Sequence, residues 1–201
     1  MKKIVKLGLL LLLLYTAFQA GTVLSDRQYL DENLIRLHVV ANSDSDADQA
    51  LKLQVRDAIV ESLQAAMAQM PDADTAKAYI QENLAQLQAL ANRTLQDAGS
   101  GDTAVVTLEK EAFSTRQYDT FTLPAGVYEA LRVTIGEGEG ENWWCVVFPT
   151  LCVSATSEGF ADTAAGAGFS DSVTGSLSGE DGYEIRFFLL DCLGWLENLF
   201  W

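Results

Sequence analysis

The spacing of apolar residues changes from four to two near residue 100, and this change constrains the fold more than any other feature. Before that point two apolar stripes recur at helical spacing, and they are separated by Pro71. The first stripe is Leu51, Val55, Ile59, Leu63 and Met67; the second is Ala76, Ile80, Leu84, Leu87, Ala91 and Leu95. From Thr103 onward the apolar residues alternate, which is typical of strands. The pattern predicts a helical hairpin followed by a sheet.

The predicted strands and helices together indicate a fold class. Ser45 and Asp72 or Asp74 stand where helix N-caps are expected. The glycine-glutamate run 136–141 lies between two predicted strands and predicts a hairpin loop. Strands are predicted at 34–40, 104–109, 127–135, 143–148 and 183–190. We therefore expect an α+β fold, with a mostly antiparallel sheet packed against a two-helix hairpin.

The last fifty residues divide into two parts of different composition. Residues 154–182 are mostly Gly, Ser, Ala and Thr with no basic residue, and this composition predicts a flexible loop. Residues 191–201 form an apolar tail, which we expect to be helical. The tail could pack on the sheet, or it could be a membrane-interface or partner-docking element.

The first 24 residues have the pattern of an export segment. Lys2, Lys3 and Lys6 precede an apolar stretch at 7–24, as in a signal peptide or a membrane anchor. At about 1.5 Å per residue, 18 residues span roughly 27 Å, enough to cross a bilayer core. The sequence leaves cleaved signal peptide and transmembrane anchor as alternatives. In either case residues 25–201 are predicted to form a single exported domain.

The charge of the exported part excludes some kinds of partner. The chain has 13 basic and 28 acidic residues, a net charge of −15. Removing Lys2, Lys3 and Lys6 leaves ten basic residues against the same acids, so the rest of the chain carries −18. A nucleic-acid-binding protein needs clustered Lys and Arg, so we expect no nucleic acid as a partner. The membrane is expected as a partner through the N-terminal segment alone.

Metal and cofactor sites are not indicated. One His and three Cys are too few for most metal or Cys/His catalytic sites, and no cofactor is predicted. The Asp44-x-Asp46-x-Asp48 run resembles a calcium loop, but Gln49 and Val55 stand where an EF-hand needs Gly and Glu. These acids are expected to cap the helix that follows.

The three cysteines leave two alternatives open. Cys145 and Cys152 are seven residues apart, and outside the membrane they could form a disulfide. Buried free thiols are the competing interpretation. Cys192 would then be unpaired.

Two stretches carry a family resemblance. Residues 34–60 read LIRLHVVANSDSDADQALKLQVRDAIV, and residues 113–152 read FSTRQYDTFTLPAGVYEALRVTIGEGEGENWWCVVFPTLC. Together with the export segment they resemble the stage II sporulation protein R family of endospore-forming Firmicutes. The run GEGEGENWWCVVFP at 136–149 is the most distinctive part.

The resemblance implies a signalling role. Family members are made in the forespore and exported into the space between the two sporangial membranes. There they activate a membrane-embedded aspartic protease of the mother cell, which then processes pro-sigma-E. The resemblance therefore implies a non-enzymatic signal whose partner is that protease.

The candidate partner-binding residues lie in the matched stretches. A glycine-rich tip with adjacent tryptophans is a plausible contact surface, because aromatic side chains are favoured anchors at interfaces. His38 has a structural alternative, since a single His is usually a hydrogen-bonded core residue. The candidates are Arg36, His38, Asn42, Ser43, Asp44, Gly136, Gly138, Gly140, Asn142, Trp143 and Trp144. No catalytic residue is predicted.

An alternative function belongs to another class. The many acids would allow a secreted or membrane-anchored hydrolase that uses paired carboxylates. However, the chain contains neither G-x-S-x-G nor H-E-x-x-H, and its single His offers few choices of base.

Overall fold

A computed structural model describes residues 2–154, 160–166, 168–178 and 184–201. These residues form one helix and one strand, then two helices, five strands and four helices. The helices are α1 (Lys2–Asn33), α2 (Asp46–Met67), α3 (Ala73–Asp97), α4 (Leu151–Ser154), α5 (Phe160–Gly166), α6 (Asp171–Ser178) and α7 (Glu184–Phe200). The strands are β1 (Ile35–Val40), β2 (Ala104–Phe113), β3 (Arg116–Gln117), β4 (Thr122–Leu123), β5 (Gly126–Ile135) and β6 (Asn142–Phe148).

The fold is α+β, as the sequence predicts. Four strands form a sheet in the order β2-β5-β1-β6, and β3 pairs with β4 in a separate ribbon. Two of the three pairings in the large sheet are antiparallel, and β1 runs parallel to β5. Every residue of β1 is buried, so this strand lies in the middle of the domain.

The predicted hairpin between β5 and β6 is wrong. Strand β1 lies between them and pairs with both, so residues 136–141 cross the end of β1 instead of closing a hairpin. The physical reason is burial. All six residues of β1 are buried, and a central position in the sheet is what allows a strand to be covered on both faces.

The helical hairpin packs on one face of the sheet as predicted. The side chain of Ser45 caps α2 by accepting a hydrogen bond from the Asp48 backbone, and Asp72 caps α3 in the same way. The predicted stripes face Ile35, Leu37 and Val39 of β1 and form the first core cluster. Local periodicity and capping were therefore sufficient to locate both helices.

The opposite face of the sheet carries a second layer that the sequence did not reveal. Helices α5 and α6 lie in the segment that was expected to be a flexible loop, and that expectation is wrong for their residues. Residues 155–159, 167 and 179–182 of this segment lie outside the described residues. Phe160, Ala164, Phe169, Val173 and Leu177 are buried in the second core cluster. A sheet buried on both faces needs such a cover.

The last predicted strand is also wrong. Residues 184–190 are helical and continue without a break into the predicted C-terminal helix, together forming α7; Tyr183 lies outside the described residues. A short apolar run does not distinguish a buried strand from a buried helix. Packing of α7 against β5 and α1 decides between them.

Helix α1 is longer than the predicted export segment. The stretch Lys6–Asn33 is long and apolar enough to cross a membrane, which fits a signal or anchor segment. Its last turns belong to the domain, because Val23, Arg27 and Leu30 are buried there.

Candidate functional site

Two of the predicted candidate segments meet at one end of the sheet. Residues 41–45, which follow β1, and residues 136–141, which precede β6, are held together by hydrogen bonds; we call this unit the loop junction. The Asn42 Oδ1 atom accepts from the Glu137 backbone at 3.0 Å, and the Asn42 carbonyl accepts from the Glu139 backbone at 3.2 Å. Asp44 Oδ1 accepts from the Glu141 backbone at 2.7 Å. The junction orders a run that the sequence predicted as a free tip.

The glycines of the loop junction allow its two loop segments to approach each other closely. Gly136 and Gly138 have positive φ angles of 57° and 67°. A Cβ at Gly140 would overlap the Ser43 carbonyl and lie 2.9 Å from the Ala41 Cβ. The glycines therefore have a structural role in shaping this surface.

The first two turns of α2 bond to the loop junction. Asp48 Oδ2 accepts from the Ser43 hydroxyl at 2.5 Å and from the Asn42 amide at 3.1 Å. These bonds, the Ser43 bond first, lower the pKa of the Asp48 carboxyl. Lys52 Nζ donates to the Glu141 carbonyl at 2.9 Å. Because Lys52 is buried, desolvation lowers the pKa of its ammonium group.

His38 belongs to a polar cluster on the sheet face opposite the helical hairpin. Its Nδ1 lies 2.8 Å from Glu111 Oε1, and its Nε2 lies 2.7 Å from the Asn142 side chain. Arg132 donates to the same Glu111 oxygen at 3.1 Å. The imidazole is stacked on the ring of Trp144, with centroids 5.4 Å apart. Both ring nitrogens are thus engaged, and the cluster positions Trp144 and Asn142.

The two tryptophans point to opposite sides of β6, and an arginine guanidinium lies over the ring of each. Arg116 lies 3.5 Å from the centroid of the Trp144 ring, and Arg56 lies 4.2 Å from that of Trp143. Trp143 remains 38% exposed, and Trp144 is half-buried. Neither tryptophan is fully buried.

A groove runs beside these tryptophans along the edge strand of the sheet. It has a volume of about 440 Å³ and lies between β6 and the β3–β4 ribbon; we call it the Trp groove. Its lining consists of Arg116, Gln117, Tyr118, Asp119, Asn142, Trp143, Trp144, Cys145 and Cys152. The order of the sheet leaves the outer side of β6 without a strand neighbour among the described residues.

The register identifies which backbone groups of β6 face the groove. The Ala41 backbone donates to the Glu141 carbonyl at 3.5 Å, so the bonded pairs continue at every second residue along β6. The N–H and C=O groups of Asn142 and Trp144 consequently point away from β1. No strand among the described residues pairs with them.

Arg36 does not share this surface with the other candidates. It is fully buried, with its guanidinium 4.0 Å from the centroid of the Phe113 ring and 5.2 Å from that of Tyr128. Arg36 Nη2 donates to the Tyr118 hydroxyl at 3.3 Å. Its position makes it a core residue beneath the Trp groove.

Four residues that sequence reasoning missed complete the site: Lys52, Arg56, Glu111 and Arg116. Lys52 interrupts a helix face that is otherwise apolar, and this was the one available signal. The other three come from α2, β2 and β3, and only the tertiary fold brings them to the tryptophans.

The lining of the groove includes a disulfide. Cys145 and Cys152 are bonded, with Cα atoms 5.3 Å apart, and this joins β6 to α4. Cys192 is a free thiol on α7.

We expect the loop junction to lose stability in acid through Asp48. Its pKa is lowered on folding, so the stabilisation is complete above its ordinary value of 3.8 and is lost as pH falls through the lower folded value. Asp48→Asn should therefore reduce the fall in urea midpoint between neutral pH and about pH 2. Asp97→Asn, at the exposed end of α3, is the matched control. An unchanged pH profile for Asp48→Asn would contradict this role.

Comparison with known proteins identifies the family. The family model described as stage II sporulation protein R matches residues 31–158. A protein named stage II sporulation protein R, from Bacillus subtilis (strain 168), is 32% identical over the full length of both chains. No solved structure matches the chain. The matched residues include β1, the helical hairpin, the loop junction and the Trp groove. The chain therefore belongs to the stage II sporulation protein R family.

Proposed function

We propose that this protein is an exported, non-enzymatic sporulation signal that activates a membrane-embedded aspartic protease of the mother cell. Activation leads to processing of pro-sigma-E. The observation that carries the proposal is the family match across the whole sheet-and-hairpin core, joined to an N-terminal helix suited to export. The site of action is the space between the two sporangial membranes.

The Trp groove and the loop junction form the surface proposed to touch the protease. Two partly exposed tryptophans stacked on arginines supply the kind of aromatic anchors that dominate interfaces. The open backbone groups of Asn142 and Trp144 suit an extended protease segment that pairs with β6. The hydrogen-bonded junction holds this surface in one shape, which lowers the entropy cost of binding.

The hydrolase alternative gains little from the site. His38 and Glu111 resemble an acid–base pair, but Nε2 of His38 is bound to Asn142 and is not directed at a nucleophile. Asp44 and Asp48 accept hydrogen bonds that shape the junction. A structural role in the loop junction therefore accounts for both carboxylates.

Co-expression in a non-sporulating host tests the proposal. The chain, the protease and pro-sigma-E are produced together, and processing is followed by gel mobility of the sigma factor. We expect processing only when the exported chain is present. The proposal fails if the exported chain induces no processing. It fails equally if processing is the same without the chain.

Trp143→Ala and Trp144→Ala test the proposed contact surface in the same assay. Each should raise the amount of exported protein needed for half-maximal processing by about tenfold, because an interface anchor is lost. Val105→Ala, at an exposed position on β2, is the matched control and should leave processing unchanged. Equal processing at equal exported level would remove both tryptophans from the interface.

A further inference from the structure

Helix α7 presents large apolar side chains to the outside of the domain. These residues are 41% to 86% exposed, which is unusual for a surface helix. They are Phe188, Leu189, Trp195, Leu196, Leu199 and Phe200. At 100° per residue, Phe188, Trp195 and Leu199 fall within about 40° of one another, so they form one stripe. These three side chains are uncharged.

Two polar side chains of α7, Asp191 and Asn198, bond to the domain. Asp191 Oδ1 accepts from the Ala125 backbone at 2.8 Å and also from the Thr115 hydroxyl. Asn198 Nδ2 donates to the Phe113 carbonyl at 2.7 Å. A helix on the surface of a water-soluble domain normally has the reverse arrangement. The inverted polarity indicates that the outer environment of α7 is apolar.

The position of α7 identifies that environment. Helix α7 packs beside α1, and Glu197 pairs with Arg27 at 2.7 Å. Arg27 follows the apolar stretch 7–24 by three residues, about 4.5 Å along the helix axis. The apolar face of α7 therefore lies next to the point where α1 leaves the domain. The leucines of α1 beyond that point are exposed as well.

We propose that α7 is a membrane-interface helix, whose outer face rests in the lipid bilayer that α1 enters. An interfacial helix is buried roughly 5–10 Å into the headgroup and acyl boundary, which suits the tryptophans at 195 and 201. Because the face is uncharged, neutral lipid is sufficient and the contact does not depend on salt. Two attachments, α1 and α7, would fix the orientation of the Trp groove relative to the membrane.

Quenching by brominated lipid tests this contact in the full-length chain. The protein is reconstituted in phosphatidylcholine vesicles with and without bromine on the acyl chains, and tryptophan emission is compared. We expect bromine to reduce emission by about half, because two of the four tryptophans lie in the interface. The reduction should be unchanged in high salt.

Two sets of variants assign the signal. Trp195→Phe with Trp201→Phe should abolish quenching, whereas Trp143→Phe with Trp144→Phe should retain it. Combined Phe188→Glu, Leu196→Glu and Leu199→Glu changes only exposed positions, and it should also abolish quenching while α1 keeps the chain in the vesicles. The proposal is overturned if the vesicle-bound wild-type chain is not quenched, or if quenching survives the substitutions on α7. It is also overturned if cross-linking shows that this face is covered by a second copy.

Discussion

Replacing Arg27 with Met is expected to lower the free energy of unfolding by about 3 kcal/mol. Arg27 is buried at the point where α1, α7 and the sheet meet. It donates to the Ala125 carbonyl at 2.8 Å and to the Tyr128 hydroxyl at 2.9 Å, and it pairs with Asp31 at 3.0 Å. Met fills a similar volume but leaves these groups without their shared donor. The loss exceeds that of one hydrogen bond because Asp31 loses the cation that favours its charged form, although burial already raises the pKa of its carboxyl to about 7.

Urea unfolding of the full-length chain in detergent, followed by tryptophan emission, measures this effect. Arg93→Met, at an exposed position on α3, is the matched control and should change the stability by less than about 0.5 kcal/mol. Glu197→Gln should cost less than about 1 kcal/mol, because that carboxylate is 42% exposed. If Arg27→Met and Arg93→Met proved equally stable, the contacts of Arg27 would not hold the last turns of α1 to the domain.

Gly140→Ala is expected to lower the free energy of unfolding by about 3 kcal/mol through the loop junction. The added methyl group would overlap the Ser43 carbonyl, and backbone atoms cannot move aside as a flexible side chain can. Separating residues 136–141 from residues 41–45 also weakens the bond from the Gly140 backbone to the Ala41 carbonyl, 3.0 Å long. If the proposed function holds, processing of pro-sigma-E should fall as well.

Gly101→Ala is the matched control for this substitution. A Cβ at position 101 meets no atom within 4 Å, so its stability should stay within about 0.5 kcal/mol of the wild type. Both variants are compared by urea unfolding and by exported level. A Gly140→Ala protein as stable as Gly101→Ala would mean that the junction opens without cost.

The sequence was sufficient to single out the loop segments of the candidate site, but not the contacts between them. The segments containing Asn42 and Gly140 could be singled out from the sequence, and the structure brings them together. Their hydrogen bonds depend on β1 lying between β5 and β6, which no local pattern specifies. The arginines on Trp143 and Trp144 come from distant parts of the chain for the same reason. Arg36 was one of the partner-binding candidates, and the structure places its side chain in the core.

The sequence by itself determined the two amphipathic helices, their caps and the apolar N-terminal helix. These features depend on residues three or four positions apart, so their information is local. The tertiary structure decided the strand order, the second layer formed by α5 and α6, and the helical state of 184–190. In each case the outcome depended on which apolar surface remained to be covered after the hairpin had packed. The polarity of α7 has the same origin, because Asp191, Asn198 and Glu197 find their partners at Ala125 before β5, at Phe113 at the end of β2 and at Arg27 of α1.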